Sequence, residues 1–275
     1  MSLFAVDTIA QIKNICREYG ITPSRQRGQN FLINEAIVKE VIQTAELNKD
    51  DVVLEIGPGF GILTEKIAVR AKKVLAIEID KTLVNILKKK FFDFKNAEII
   101  QDDIRCFDSD KYGLKKYKLI ANLPFNLTGF VLRKFLTAKN KPESISLVLQ
   151  KEIGKKIIAQ SGEMTKLSLM VQLYGQVEII REIKSGNFWP RPKVDSVIVK
   201  IRPFKRINFD QEKLFQFIRA GFSSPRKYLL NNLIKSGIIE KDKAIKKFQN
   251  LGLNLKIRAE ELSVEDWKEA GEEEH

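Results

Sequence analysis

Glu55-Ile56-Gly57-Pro58-Gly59-Phe60-Gly61 is the stretch that decides the fold of this 275-residue chain. It follows an apolar run, Asp51–Ile56, and opens a helical pattern, Ile62–Ala71. Glycines let the backbone turn tightly and approach a ligand closely. The helix that follows presents unpaired N–H groups at its start. Working outward, further strand-like runs lie at Lys73–Ile79, Ala97–Gln101, Tyr117–Ala121 and Ser144–Leu149. Helical patterns at Lys81–Phe91 and Thr128–Thr137 separate them, and a helix over 34–46, with Asn34 as its N-cap, precedes them all. The strands are continuously apolar rather than alternating, as in a parallel sheet covered on both faces. The fold class is therefore α/β, doubly wound and Rossmann-like.

Beyond residue 150 the pattern changes. Lys151–Gln160 and Thr165–Tyr174 predict helices, and Gln176–Ile183 and Ser196–Ile201 predict strands. Asn187-Phe188-Trp189-Pro190-Arg191-Pro192-Lys193 splits those strands, which suits an antiparallel edge. After Pro203 the pattern is wholly helical, at about 210–222, 225–236, 240–250 and 262–270. These readings divide the chain into residues 1–205, an α/β domain with an N-terminal helical extension, and residues 206–275, a small all-helical domain.

The chain carries 48 basic and 35 acidic residues, a net charge of +13. The last sixteen residues, from Glu260 to His275, hold eight of the acids and one of the bases, leaving 47 basic against 27 acidic residues, or +20, before them. Lysine runs such as Lys88-Lys89-Lys90 add to that surplus. It suits a polyanionic partner, either a nucleic acid or an anionic membrane surface. No lipidation motif supports the membrane. No apolar run approaches the ~18 residues of a spanning helix. The N-terminal stretch reads as an amphipathic helix rather than a targeting segment, which predicts a cytoplasmic protein. Cys16 and Cys106 are the only cysteines and His275 the only histidine. That composition excludes a Cys/His metal site and a Ser-His or Cys-His nucleophile pair, so no metal is expected.

Two cofactor classes use a glycine turn between strand and helix. Dinucleotide sites want G-x-G-x-x-G. Here Gly57, Gly59 and Gly61 give G-x-G-x-G, with Ile62 next. That spacing resembles the first motif of Rossmann-like methyltransferases, which bind S-adenosylmethionine; a purely structural turn is the plainer alternative. Glu78 ends the next strand, where a carboxylate can accept from both ribose hydroxyls. Asp103 follows the third strand and could accept from the cofactor's adenine amino group, although an acid there also serves as a turn residue.

The fourth strand ends in Asn122-Leu123-Pro124-Phe125, at the strand end where ligands gather in open α/β sheets. This resembles the N/D-P-P-Y/F loop of amino-group methyltransferases. The Asn122 side-chain oxygen and the Leu123 carbonyl would accept the two amino hydrogens of an adenine, Pro124 would fix the turn, and Phe125 would stack on the base. Phe188 is the candidate for the other face of the base; packing of that ring on the sheet is the alternative.

With these residues in order, the chain resembles the small-subunit ribosomal RNA adenine dimethyltransferase family over nearly its whole length. Gly28-Gln29-Asn30-Phe31-Leu32, Leu149-Gln150-Lys151-Glu152, Phe188–Ser196, Arg226-Lys227 with Asn231, and Arg258–Val264 carry further signatures. The resemblance implies a class I methyltransferase domain that binds S-adenosylmethionine through Asn30, Leu32, Gly57, Gly59, Glu78, Asp103 and Asn122. It implies four methyl transfers to two adjacent adenosines near the 3′ end of small-subunit rRNA, within a pre-ribosomal particle. RNA contacts are expected at Arg191, Lys193, Arg226 and Lys227, and the protein is expected to act as a monomer. Three positions depart from the family pattern: Phe125 replaces the commoner Tyr, Thr128-Gly129 replaces a Ser/Thr pair, and Ser224-Pro225 stands where a basic pair is frequent. Competing readings are a large-subunit rRNA adenine methyltransferase of the macrolide-resistance type, a non-catalytic ribosome-assembly factor, and an NAD oxidoreductase. The Pro192–Ser196 and Arg258–Val264 stretches, the intact Asn122 and Glu78, and the glycine spacing disfavour them in turn.

Overall fold

The computed structural model describes residues 9–24, 28–124 and 126–272. The first unit comprises residues up to Gly154 together with Val177–Pro203. Its elements begin with α1 (Ile9–Glu18), β1 (Phe31–Leu32), α2 (Glu35–Thr44), β2 (Val52–Ile56), α3 (Ile62–Ala68), β3 (Lys73–Glu78) and α4 (Lys81–Lys90). There follow β4 (Ala97–Gln101), β5 (Lys118–Asn122), α5 (Thr128–Leu136), β6 (Ser144–Gln150) and α6 (Lys151–Ile157). Beyond α7 (Lys166–Tyr174) come β7 (Gly175–Ile183), β8 (Phe188–Trp189) and β9 (Ser196–Pro203).

Seven strands form one sheet in the order β4-β3-β2-β5-β6-β9-β7. β2 to β6 run parallel, and β9 pairs antiparallel with β6. The mostly parallel sheet with an antiparallel strand toward one edge is thus as the sequence predicts. Its apolar strands bury both faces: Val53, Leu54, Val74, Leu119, Ile120 and Leu147 are all inaccessible or nearly so. Asn34 caps α2 as expected, its side chain accepting from the Ala36 and Ile37 amides. Asp80 does the same for α4 through Thr82 and Leu83. Each such cap contributes about 1 kcal/mol. A second sheet was not anticipated: β1 and β8 pair antiparallel, Phe31 opposite Trp189 and Leu32 opposite Phe188. Two residues per strand, 157 positions apart, leave no periodicity to read.

The second unit comprises Lys155–Gln176 and the residues from Phe204 onward. It contains α7, α8 (Gln211–Gly221), α9 (Leu229–Lys235), α10 (Lys241–Asn250) and α11 (Val264–Gly271). The sequence put residues 155–176 with the α/β part, yet they group with the late helices. The reason is what buries α7: Tyr174 stacks on Phe215 with centroids 5.8 Å apart, and its hydroxyl donates to Gln211 at 2.9 Å. Trp267 fills this unit's centre against Phe217 and Phe222. Asn232 ties the α8–α9 turn by donating to the carbonyls of Gly221 and Ser224. Among the described residues no helix is long and apolar enough to cross a membrane, and no group of three or more His, Cys, Asp or Glu could hold a metal.

Candidate active site

Register builds the site. Ile56 stands opposite Ile77 of β3 and Ala121 of β5. One residue further along these parallel strands, Gly57 falls between Glu78 and Asn122. Glu78 in turn pairs with Gln101, so Asp102 and Asp103 follow at the next strand end. The direction of winding reverses between β2 and β5, which is where an open α/β sheet leaves a crevice. A cavity of about 390 Å³ lies there, within the ~300–1,000 Å³ of small-molecule sites. Asn30, Gly57, Gly59, Glu78, Asp103, Asn122, Leu123 and Pro124 all line it.

The glycine turn needs its glycines. Gly57, Gly59 and Gly61 all have positive φ. A Cβ on Gly61 would meet Phe91 at 2.6 Å and Leu87 at 2.8 Å. At Gly57 a Cβ would meet nothing within 4 Å, so that backbone faces open space. The Gly59 amide donates to Glu78 Oε2 at 3.3 Å and the Asp80 amide to Oε1 at 3.0 Å. Glu78 is 6% exposed; burial pushes its pKa up, against the pull of those two amides. Each of its oxygens retains acceptor capacity toward the cavity. Asp103 accepts from Arg105 Nε at 2.9 Å, and that guanidinium holds its carboxyl below the usual range.

Beneath the turn lies Glu55, to which the sequence alone assigns no role of its own. Glu55 is 1% exposed and neither carboxyl oxygen makes a hydrogen bond among the described residues. Desolvation raises its pKa to about 8. Thr64 lies near enough to favour the ionised form, although its hydroxyl forms no hydrogen bond of good geometry. Glu55 is therefore chiefly a neutral acid at pH 7. The signal was an acid at the inner end of an otherwise apolar strand.

On the substrate side, the Leu123 amide donates to the Val148 carbonyl at 3.2 Å and the Leu127 amide to the Pro124 carbonyl at 3.0 Å, fixing the turn. Asn122 Nδ2 donates to the Asn30 carbonyl at 2.9 Å. Phe125 lies outside the described residues. Phe188 lines the cavity but is only 4% exposed and packs in the core beside Leu32 and Ile198, so it is a wall rather than a free platform. Leu32 does not line the cavity: it is 2% exposed in that same core, because neighbours on a strand face opposite ways and Phe31 takes the cavity side. Arg191 is exposed and donates to Ser185 Oγ at 3.0 Å, and Lys193 is exposed; neither lines the cavity. Asp195 holds their loop by accepting from the Ser185 amide and Lys184 Nζ, both at 2.9 Å. In the second unit Arg226 and Lys227 are exposed on the turn before α9.

The sheet order and the glycine turn define a Rossmann-like class I methyltransferase domain. Solved structures share the fold: a dimethyladenosine transferase from Plasmodium falciparum (TM-score 0.77, 24% identity, 87% of this chain and 95% of that one) and the 23S rRNA methyltransferase ErmE (TM-score 0.72, 24% identity, 88% and 98%). Residues 22–273 match the family described as ribosomal RNA adenine dimethylase, and the chain belongs to that family. Among similar proteins are those named ribosomal RNA small subunit methyltransferase A from Dehalococcoides mccartyi and Clostridium botulinum. The first is 38% identical over 96% of this chain and 92% of its own length; the second is 37% identical over 93% and 95%.

Proposed function

We propose that this protein transfers methyl groups from S-adenosylmethionine to the exocyclic amino groups of two adjacent adenosines near the 3′ end of small-subunit rRNA. Dimethyladenosine is the end product. The observation that carries the reading is one cavity shared by Gly57, Gly59, Glu78 and Asp103 on one side and Asn122–Pro124 on the other. The residues fit the cofactor. The Gly57 backbone is open to close approach, and the buried carboxylate of Glu78 suits a ribose. Asp103 suits an adenine amino group, and the strap Gly28–Phe31 closes the cavity from the other side.

When bound, S-adenosylmethionine supplies an electrophilic methyl group. The protein's part is to present the nucleophile. An adenine amino lone pair is conjugated into the ring. Acceptance of its two hydrogens by Asn122 Oδ1 and the Leu123 carbonyl draws the nitrogen toward a pyramidal shape and aims the lone pair. Phe125 supplies a stacking face, and Phe188 bounds the pocket from the core. After transfer the nitrogen is a strong acid and releases its proton without a protein base, which suits a chain whose only histidine is His275. Positioning supplies most of the acceleration. The cationic surplus before the acidic tail, with Arg191, Lys193, Arg226 and Lys227 exposed, supports a grip on RNA. The catalytic role falls to the α/β part, and RNA binding to the helical part together with Arg191 and Lys193 of the α/β part. The reading extends to a cytoplasmic monomer working on a pre-ribosomal particle.

Incubation with radiolabelled S-adenosylmethionine and unmethylated small subunits, followed by mass spectrometry of the nucleosides, tests it. Dimethyladenosine in small-subunit rRNA is expected. Label confined to large-subunit rRNA, or no label at all, sinks the proposal.

A further inference from the structure

We infer that the main-chain carbonyl of Asn30 sets the orientation of the Asn122 amide, so that the strap closing the cofactor cavity also prepares the acceptor for the substrate. The inference rests on the methyl-transfer reading above. Asn122 lies 2.9 Å from that carbonyl, across 92 residues of sequence. A carbonyl only accepts, so the atom facing it is the amide nitrogen. With Nδ2 committed, Oδ1 is the atom left to accept from a substrate amino group. The opposite rotamer would set two oxygens against each other and present a donor to a donor.

The strap is braced within itself and anchored at its C-terminal side. Asn30 Nδ2 donates to the Gly28 carbonyl at 3.1 Å. The Ile33 amide donates to the Asn187 carbonyl at 3.0 Å, and Asn34 Nδ2 to Asn187 Oδ1 at 2.7 Å. Between those anchors β1 pairs with β8. Asn187 is absent from the cavity lining, yet it fixes the segment whose carbonyl turns the reactive amide. Asn30 and Phe31 also line the cavity with Gly57 and Glu78, so a bound cofactor and the Asn122 amide share one support. An amide fixed in advance needs no reorganisation when the amino group arrives. Asn30 is on this account a positioning residue, acting through its backbone.

Asn122→Asp separates this from simple acceptance. Aspartate keeps the size and accepts better than the amide, so an acceptor-only role predicts near wild-type turnover. If the Asn30 carbonyl must receive a hydrogen, the carboxylate repels it and displaces the strap. The expected result is kcat lower by about tenfold or more, with affinity for S-adenosylhomocysteine weaker than in Asn122→Ala and the KM for RNA little changed. Circular dichroism checks folding. A second variant, Asn187→Ala, loosens the strap from outside the cavity and should lower kcat and S-adenosylhomocysteine affinity together. Asn122→Asp turnover within about twofold of wild type, or an Asn187→Ala protein unchanged in both quantities, overturns the inference. Wild-type protein inactive on unmethylated small subunits would instead sink the methyl-transfer reading, and the order of S-adenosylhomocysteine affinities would still decide the strap.

Discussion

Glu55→Gln isolates the energetic cost of the buried acid under the glycine turn. In the unfolded chain this carboxyl ionises near 4.5, and in the fold near 8. Between those values the folded state holds a proton that the unfolded state has released. The group's contribution to stability is therefore complete below about pH 4.5 and is lost as pH rises through about 8. At ~1.4 kcal/mol per pH unit, the loss reaches about 3 kcal/mol at pH 7 and about 5 kcal/mol above pH 8. Glutamine keeps the shape and does not titrate. Urea denaturation of both proteins without cofactor, at about pH 5, 7 and 8.5, gives the two stability curves. Every other titrating group cancels in their difference. The variant should gain on the wild type by a few kcal/mol from the lowest pH to the highest. At the lowest pH it should be no better, since its amide meets the same lack of partners. Parallel curves would refute the assignment of a neutral Glu55.

Two further outcomes follow from the site and the surface. Glu78→Ala should weaken S-adenosylhomocysteine binding by about 10- to 100-fold, the worth of hydrogen bonds to a charged acceptor, as read by calorimetry; unchanged affinity would remove Glu78 from the ribose. RNA affinity should fall steeply with salt, log K dropping by about 0.7 to 0.9 per neutralised phosphate, and charge reversal of Arg226 and Lys227 together should flatten that slope; a wild-type slope near zero would dispose of the electrostatic account.

Much of this architecture was legible because each strand of the parallel sheet announces itself as an apolar run. Ala97–Gln101 was bounded to the residue, and the others ended within one residue at either end. Asn34 was readable as a cap because its side chain acts within its own turn. Gly57, Glu78, Asp103 and Asn122 were readable because register carries consecutive strand ends to one edge of the sheet. What escaped depends on contacts that pattern does not encode. Nothing local distinguishes Leu32 from Phe31 until β8 pairs with them and sends one ring to the cavity and the other side chain to the core. The helix of Lys166–Tyr174 carries apolar residues nearly all round, which says that it is buried but not against what. The Asn122 to Asn30 hydrogen bond joins a strand end to a strap with no motif linking them.

The pairing of Phe31 and Leu32 with Trp189 and Phe188 gives the cavity a late birthday. Closing a loop of that length is entropically costly and is repaid only by contacts the rest of the sheet must already support. On the ribosome, the glycine turn, Glu78 and Asn122 emerge well before residue 189. Until that residue is out, the strap has no second strand and the Asn122 amide no fixed rotamer. A nascent chain therefore offers strand ends but no finished pocket. Cofactor stabilises only the form that binds it, so its help comes after the sheet is complete. A small molecule that fills this cavity should accordingly leave the early refolding steps unchanged and stabilise only the finished fold.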